Sequence, residues 1–178
     1  MVDAELHSAL IVAVPEAARV VDDWRERTSY AKPSSGIPPH VTILSPFVTP
    51  ASIDNSFVDD LRALFGAFES FTFELGVTGR FPGVLYLAPN PAEPFGRMTE
   101  AVRKAYPDYP PYGGTFDPIV PHLTTAEGND ETLSEAEADI RSSLPIAAEA
   151  NEVLLIEEVE PDSVRWRTRA HLPFGVSA

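Results

Sequence analysis

Pro39-His40-Val41-Thr42 and Pro121-His122-Leu123-Thr124 are two copies of one phrase, Pro-His-aliphatic-Thr. They use two of the four histidines in the chain. One His placed two residues before a Thr says little, because strands are rich in Thr. Two copies with matching flanks make a pattern. Residues i and i+2 of a strand point to the same face, so each phrase aims an imidazole and a hydroxyl at a common point. Two such pairs facing each other amount to a general acid, a general base and two hydroxyl donors. Those are the parts of a phosphoryl-transfer site that requires no metal.

Working outward, the 18 prolines separate the remaining elements. Before the first phrase, residues 9–14 read as a buried strand ended by Pro15. A helix from about 16 to 30 follows, with Val20, Val21 and Trp24 at helical spacing. Residues 32–39 are a loop and 40–47 the first motif strand. After it, 53–68 is helical through Phe57, Leu61, Leu64 and Phe65, and Phe71, Phe73, Leu75 and Val77 alternate as a half-buried strand. The order then returns: strand 84–88 before Pro89, helix from about 95 to 106, a long loop rich in Pro and Gly, and motif strand 122–126. Next comes helix 134–144, with Ser134 as N-cap and Glu137 three residues on. Residues 148–159 and 164–172 close the chain as a hairpin. The predicted fold is α+β, one bilobal domain over 1–178 arising by internal duplication of about 1–82 and about 83–178. Its two pseudo-symmetric lobes are each an antiparallel sheet with helices outside, and the His-x-Thr motifs face each other across a central cleft.

At 44% apolar and 22% charged residues the chain is globular. The formal charge of −14 repels a long polyanion, which argues against extended RNA or DNA as a partner. The acidic run Glu127, Asp130, Glu131, Glu135, Glu137 and Asp139 reads as a solvated loop and first helical turns. The absence of cysteine excludes disulfides, a thiolate nucleophile and Cys-ligated metal. No apolar stretch approaches the roughly 18 residues of a membrane span, and acidic Asp3 and Glu5 precede the short apolar run where a signal peptide is basic. A cytoplasmic location, no membrane partner and a monomer are the expectations.

The chain is similar to the 2H phosphoesterase superfamily and, within it, to the bacterial 2′-5′ RNA ligase-like, cyclic phosphodiesterase branch. The resemblance runs over almost the whole chain. It is carried by His40-Val41-Thr42-Ile43-Leu44-Ser45-Pro46-Phe47, by Tyr112-Gly113-Gly114-Thr115-Phe116 leading to Pro121-His122-Leu123-Thr124, and by Trp166 with Leu172-Pro173-Phe174-Gly175. It implies chemistry on phosphodiesters at a ribose 2′ or 3′ oxygen. Substrates in the family include 2′,3′-cyclic phosphates, 2′-5′ linked oligonucleotides and ADP-ribose cyclic phosphate. By the same resemblance His40 and His122 are the catalytic acid–base pair, and Thr42 and Thr124 hold phosphate oxygens. No cofactor and no metal site are expected, and the partner is a small nucleotide or an oligonucleotide end. A 2′-5′ ligase or nuclease is the alternative within the class, and a non-catalytic nucleotide-binding module the alternative outside it.

Four further side chains are candidate substrate contacts. Tyr112 and Phe116, with Tyr109, lie in the loop before the second phrase, where aromatic rings stack on bases. Arg167 shares a strand face with Arg165 and Arg169, and Arg80 follows the 71–77 strand. Facing the cleft, these arginines would offset the acidic field. Phe47 and Phe81 are assigned to the core, His7 and His171 to structural positions.

Overall fold

The computed structural model describes residues 5–114, 119–161 and 164–175. It contains two four-stranded antiparallel sheets. In the first, β1 (Ser8–Ala13), β2 (His40–Leu44), β7 (Glu152–Glu160) and β8 (Arg165–Pro173) lie in the order β2-β1-β7-β8. In the second, β3 (Phe71–Phe81), β4 (Val84–Asn90), β5 (Leu123–Glu127) and β6 (Ile146–Ala150) lie in the order β5-β4-β3-β6. The helices α1 (Ala18–Thr28), α2 (Asn55–Gly66), α3 (Glu93–Ala105) and α4 (Asp130–Ile140) complete the two lobes.

The two strand orders match over their first three places, with the motif strand at the edge, the opening strand beside it and then a strand from the other half of the chain. The fourth is β8 in the first sheet and β6 in the second, both from the second half. β3 ends the first half yet pairs with β4, while β7 returns to pair with β1. The helices cross over as well, α1 packing on β5 and α3 on β2. Trp24 Nε1 of α1 donates to Asp139 Oδ2 of α4 at 2.7 Å, and Thr99 Oγ1 of α3 donates to the Ile43 carbonyl of β2 at 2.9 Å. One apolar core runs through both sheets, with Leu10, Val12 and Val41 from the first, Leu85, Leu87 and Leu123 from the second, and Phe65, Phe95 and Met98 from helices. At about 1.5–3 kcal/mol for each large side chain fully buried, neither half retains a core without the other. The motif strands are thereby fixed relative to each other.

Three local readings are corrected. α4 begins at Asp130, because the Asn129 side chain accepts the Thr132 N–H at 2.9 Å and caps the helix there. Ser134 lies inside the helix. Residues 148–159 are two strands in different sheets, broken at Asn151, with β6 on β3 and β7 on β1. Ala148, Ala150 and the apolar run from Val153 to Ile156 read as one stretch across the break, which hides it. β3 also runs four residues past Val77, to Phe81.

Candidate functional site

β2 and β5 are the edge strands of their sheets and lie beside each other. His40 is the first residue of β2, whereas His122 immediately precedes β5. Both rings are tied in the same way. His40 Nδ1 is 2.8 Å from the Pro38 carbonyl oxygen, and His122 Nδ1 is 2.7 Å from that of Val120. A carbonyl only accepts, so Nδ1 carries the proton and Nε2 is left as the basic nitrogen for a ligand. The intervening residue is proline in both copies. Its fixed φ and the extended conformation it imposes on its predecessor stiffen the segment that presents the acceptor. The carbonyl in front of each proline therefore sets the tautomer of its histidine.

Behind His40 stands Arg25 of α1, only 2% exposed. Its Nη2 donates to the carbonyls of Ala31 and Ile37 at 2.8 Å and of Pro38 at 3.3 Å, and its Nη1 donates to Asp22 Oδ1 at 2.7 Å. The Pro38 carbonyl is thus shared by the guanidinium and the imidazole. Sequence reading missed Arg25. The signal was its place in the inward stripe of α1 beside Val21 and Trp24, where a charge requires buried partners.

His122 is ringed by aromatic side chains. Phe81 meets it edge-on with centroids 4.9 Å apart, Tyr86 lies at 5.4 Å, and Tyr112 is nearly parallel at 6.5 Å. Gly79, Tyr86 and Thr124 form one cross-strand row over β3, β4 and β5. Gly79 leaves the space that the Tyr86 ring fills, since a Cβ there would stand 2.4 Å from the ring. Gly79→Ala is expected to displace Tyr86 at a cost of about 1–3 kcal/mol and to lower turnover. Thermal melting and turnover measured side by side check this.

Tyr112 joins the two motifs. Its hydroxyl is hydrogen-bonded with Thr42, its ring lies on His122, and its backbone N–H donates to the Ser45 carbonyl at 2.8 Å. Its φ of +51° is in the left-handed region, which costs a non-glycine residue of order 1 kcal/mol. The three contacts hold it there. Burial raises the pKa of its phenol, so the group remains a neutral hydroxyl.

A cleft of about 470 Å³ opens beside this cluster, lined by Phe81, Val84, Tyr112, His122, Thr124 and Glu127, with Pro82, Ile119 and Val120. His40 and Thr42 stand on the adjoining edge of β2. Pairing of Ala13 with His40 and of Ile11 with Thr42 sets these side chains on the sheet face opposite Leu10, Val12 and Val41. Burial pushes the pKa of His40 down to about 4, helped by the charge of Arg25 and by His122 and opposed by the Pro38 carbonyl. Burial also lowers that of His122. Because the folded pKa of His40 lies below its ordinary 6.5, the unfolded chain binds more protons between the two values. The stability contributed by neutral His40 is complete above 6.5 and is lost as pH falls through about 4. Melting temperature is therefore expected to fall from about pH 6.5 to 5, above the main carboxylate range, and the fall should be shallower in His40→Ala.

The remaining candidates lie elsewhere. Arg167 pairs with the buried Glu157 at 2.7 Å, and Arg169 reaches the same carboxylate at 3.2 Å. Arg167 lies opposite Glu157 in register, and Glu157 opposite Ser8, on the face away from His40 and Thr42, while Trp166 packs on the face they occupy. Arg167 is thus directed away from the cleft. Arg80 is held on α4 by Glu137 at 2.9 Å and by Ser134 at 3.3 Å. Arg80, Arg167 and Arg169 satisfy carboxylates and do not line the cleft. Phe116 lies outside the described residues. Tyr109 packs on Phe47, a core residue as expected. Phe81, assigned to the core, is instead at the site. The acidic run is only partly solvated, since Glu127 lines the cleft and Glu137 and Asp139 bond to Arg80 and Trp24. Among the described residues no three His, Asp or Glu side chains are grouped to hold a metal ion, and no helix is long and apolar enough to cross a membrane.

Solved structures share this fold. The chain superposes on E. coli LigT bound to NADP+ with a TM-score of 0.57 at 17% identity, covering 96% of this chain and 98% of the other. On E. coli LigT bound to 3′-AMP the TM-score is 0.56 at 16% identity, with 96% and 99% covered. TT0787 of Thermus thermophilus gives 0.55 at 20% identity, with 94% and 97% covered. A protein of Bacillus cereus (strain G9842), named provisionally as a phosphoesterase, is 31% identical over 117 residues, which is 61% of this chain and 60% of that relative. A sequence profile described as the 2′-5′ RNA ligase superfamily matches residues 13–162. With the pseudo-symmetric sheets and this match over most of its length, the chain belongs to the 2′-5′ RNA ligase superfamily of 2H phosphoesterases.

Proposed function

We propose that the chain is a metal-independent phosphodiesterase that opens 2′,3′-cyclic phosphates, or related 2′-phosphodiesters, of small ribonucleotides or oligonucleotide ends. The observation that carries this reading is the matched pair of imidazoles, each with Nδ1 tied to the carbonyl two residues back and Nε2 left for a ligand. His40, with its pKa lowered to about 4, is neutral across the physiological range and acts as the base, taking a proton from the attacking water. His122 acts as the acid, and an anionic phosphate in the cleft raises its proton affinity. It protonates the ribose oxygen as the P–O bond of the ring breaks. Thr42 and Thr124 donate to the non-bridging oxygens as charge develops on them, the Thr42 hydroxyl exchanging its Tyr112 partner for the phosphate. With a 5′-hydroxyl in place of water as nucleophile and the ribose 3′ oxygen as leaving group, the same pair would open the cyclic phosphate into a 2′-5′ diester, so 2′-5′ ligation is the second reading. E. coli LigT has been seen with 3′-AMP, a product-like nucleotide, which agrees with the first.

The test is incubation with the four nucleoside 2′,3′-cyclic monophosphates in the presence of chelator, separating 2′- from 3′-monophosphate products. A single product isomer, formed at an unchanged rate with chelator, is expected. Strong inhibition by chelator would sink the metal-independent mechanism. Binding without turnover of these or of 2′-5′ linked oligonucleotides would leave a non-catalytic nucleotide-binding module.

A further inference from the structure

We propose that the cleft beyond His122 is a nucleobase subsite and that Glu127 makes it selective for guanine. The inference rests on the nucleotide reading of the site and goes beyond it in naming the base. Most of the cleft wall is apolar, from Phe81, Pro82, Val84, Ile119 and Val120, and its volume of about 470 Å³ suits a nucleoside. Glu127 supplies a carboxylate to that wall. It pairs across the strands with Val84, on the same sheet face as Tyr86 and Thr124. It lies three residues along the strand from Thr124, a distance of about 10 Å or less. That is comparable to the reach of a nucleotide from its phosphate to the far edge of its base. A phosphate held at the Thr124 end therefore places the base edge against Glu127 and keeps the two negative charges apart.

The carboxylate is held in place by the other lobe. Its Oε2 accepts the Tyr30 N–H at 2.7 Å, and the Glu127 N–H donates to Thr28 Oγ1 at 3.1 Å. Ionised, it can only accept further hydrogen bonds. Guanine presents two adjacent donors on one edge, N1–H and the N2 amino group, and matches a carboxylate with two parallel hydrogen bonds. Adenine and cytosine place an acceptor beside their amino donor. Uracil flanks its one N–H with two carbonyl oxygens, which face the carboxylate lone pairs. The aromatic and aliphatic wall is indifferent to the choice of base, so the carboxylate decides it.

The experiment is calorimetric binding of 3′-GMP, 3′-IMP and 3′-UMP to the wild-type protein and to Glu127→Gln, with inorganic phosphate as the ligand lacking a base. Wild type is expected to bind 3′-GMP on the order of tenfold to a hundredfold more tightly than 3′-UMP. 3′-IMP, which lacks the N2 amino group, should fall between them. In the variant the GMP-to-UMP ratio should approach one. The inosine comparison deletes a donor on the ligand side and needs no folded variant. Equal affinities for the three nucleotides in wild type overturn the subsite while leaving a nucleotide site in place, and so does a ratio that Glu127→Gln leaves unchanged. Binding of phosphate with no added affinity from any base overturns the subsite alone. Failure of every ligand to bind overturns the nucleotide reading with it.

Discussion

Replacing either His40 or His122 by alanine is expected to lower turnover of a cyclic phosphate by about 10²–10⁴-fold, the usual contribution of one positioned acid or base. The melting temperature at neutral pH should change little. Both rings are half-buried at the ends of edge strands, outside the main core, and each is tied by a hydrogen bond to a backbone carbonyl. Losing such a bond costs about 1 kcal/mol. The double variant should lose far less than the product of the single losses, because base and acid act in one transition state. Steady-state turnover beside thermal melting checks this. A large loss of stability with a small loss of rate would return the histidines to a packing role.

Arg25→Ala is expected to damage both stability and activity. The guanidinium is buried with three carbonyls and a carboxylate around it, and removing it leaves those acceptors unpaired. Breaking a buried charged network typically costs about 3–5 kcal/mol. For a chain of this size that is a fall of roughly 10 °C in melting temperature. The Pro38 carbonyl that fixes His40 is one of those acceptors, so turnover should fall even where the variant remains folded. Arg25→Lys keeps the charge and loses the fork, and should recover stability only in part. Urea titration and turnover of the three proteins give the comparison, and a loss below about 1 kcal/mol in Arg25→Ala would contradict it.

The sequence exposed what repeats and hid what does not. Because the two phrases share proline, histidine and threonine at fixed offsets, the histidines and threonines could be picked out as candidates, and the element order around them could be read directly. The return of β7 to β1 could not, since so long-range a pairing leaves no local mark. The tight β3–β4 turn at Pro82-Gly83 is marked locally but falls at the boundary assigned between the halves. The Asn151 break was masked because the apolar residues on either side of it read as one stretch. Tyr112 was picked out by its loop, but its bridging contact with Thr42 depends on a left-handed backbone that its residue type does not announce. Arg80 and Arg167 were misjudged because alternation fixes only which residues share a face, and the carboxylates Glu137 and Glu157 on neighbouring elements decide what that face meets. Phe81, Tyr86 and Glu127 belong to the site through register across β3, β4 and β5, which a single chain of letters does not contain.

The dependence of kcat/KM on pH for a nucleoside 2′,3′-cyclic phosphate, followed from about pH 3.5 to 9, tests the paired-imidazole account most directly. This quantity reports the groups of the free enzyme. With His40 as base at a pKa of about 4 and His122 as acid below 6.5, the profile is expected to rise through about 4 and to fall again below 6.5, with its maximum on the acid side of neutrality. A rate that climbs steadily into the alkaline range would contradict the account, because it would mean that no protonated imidazole is needed for the ribose oxygen to leave.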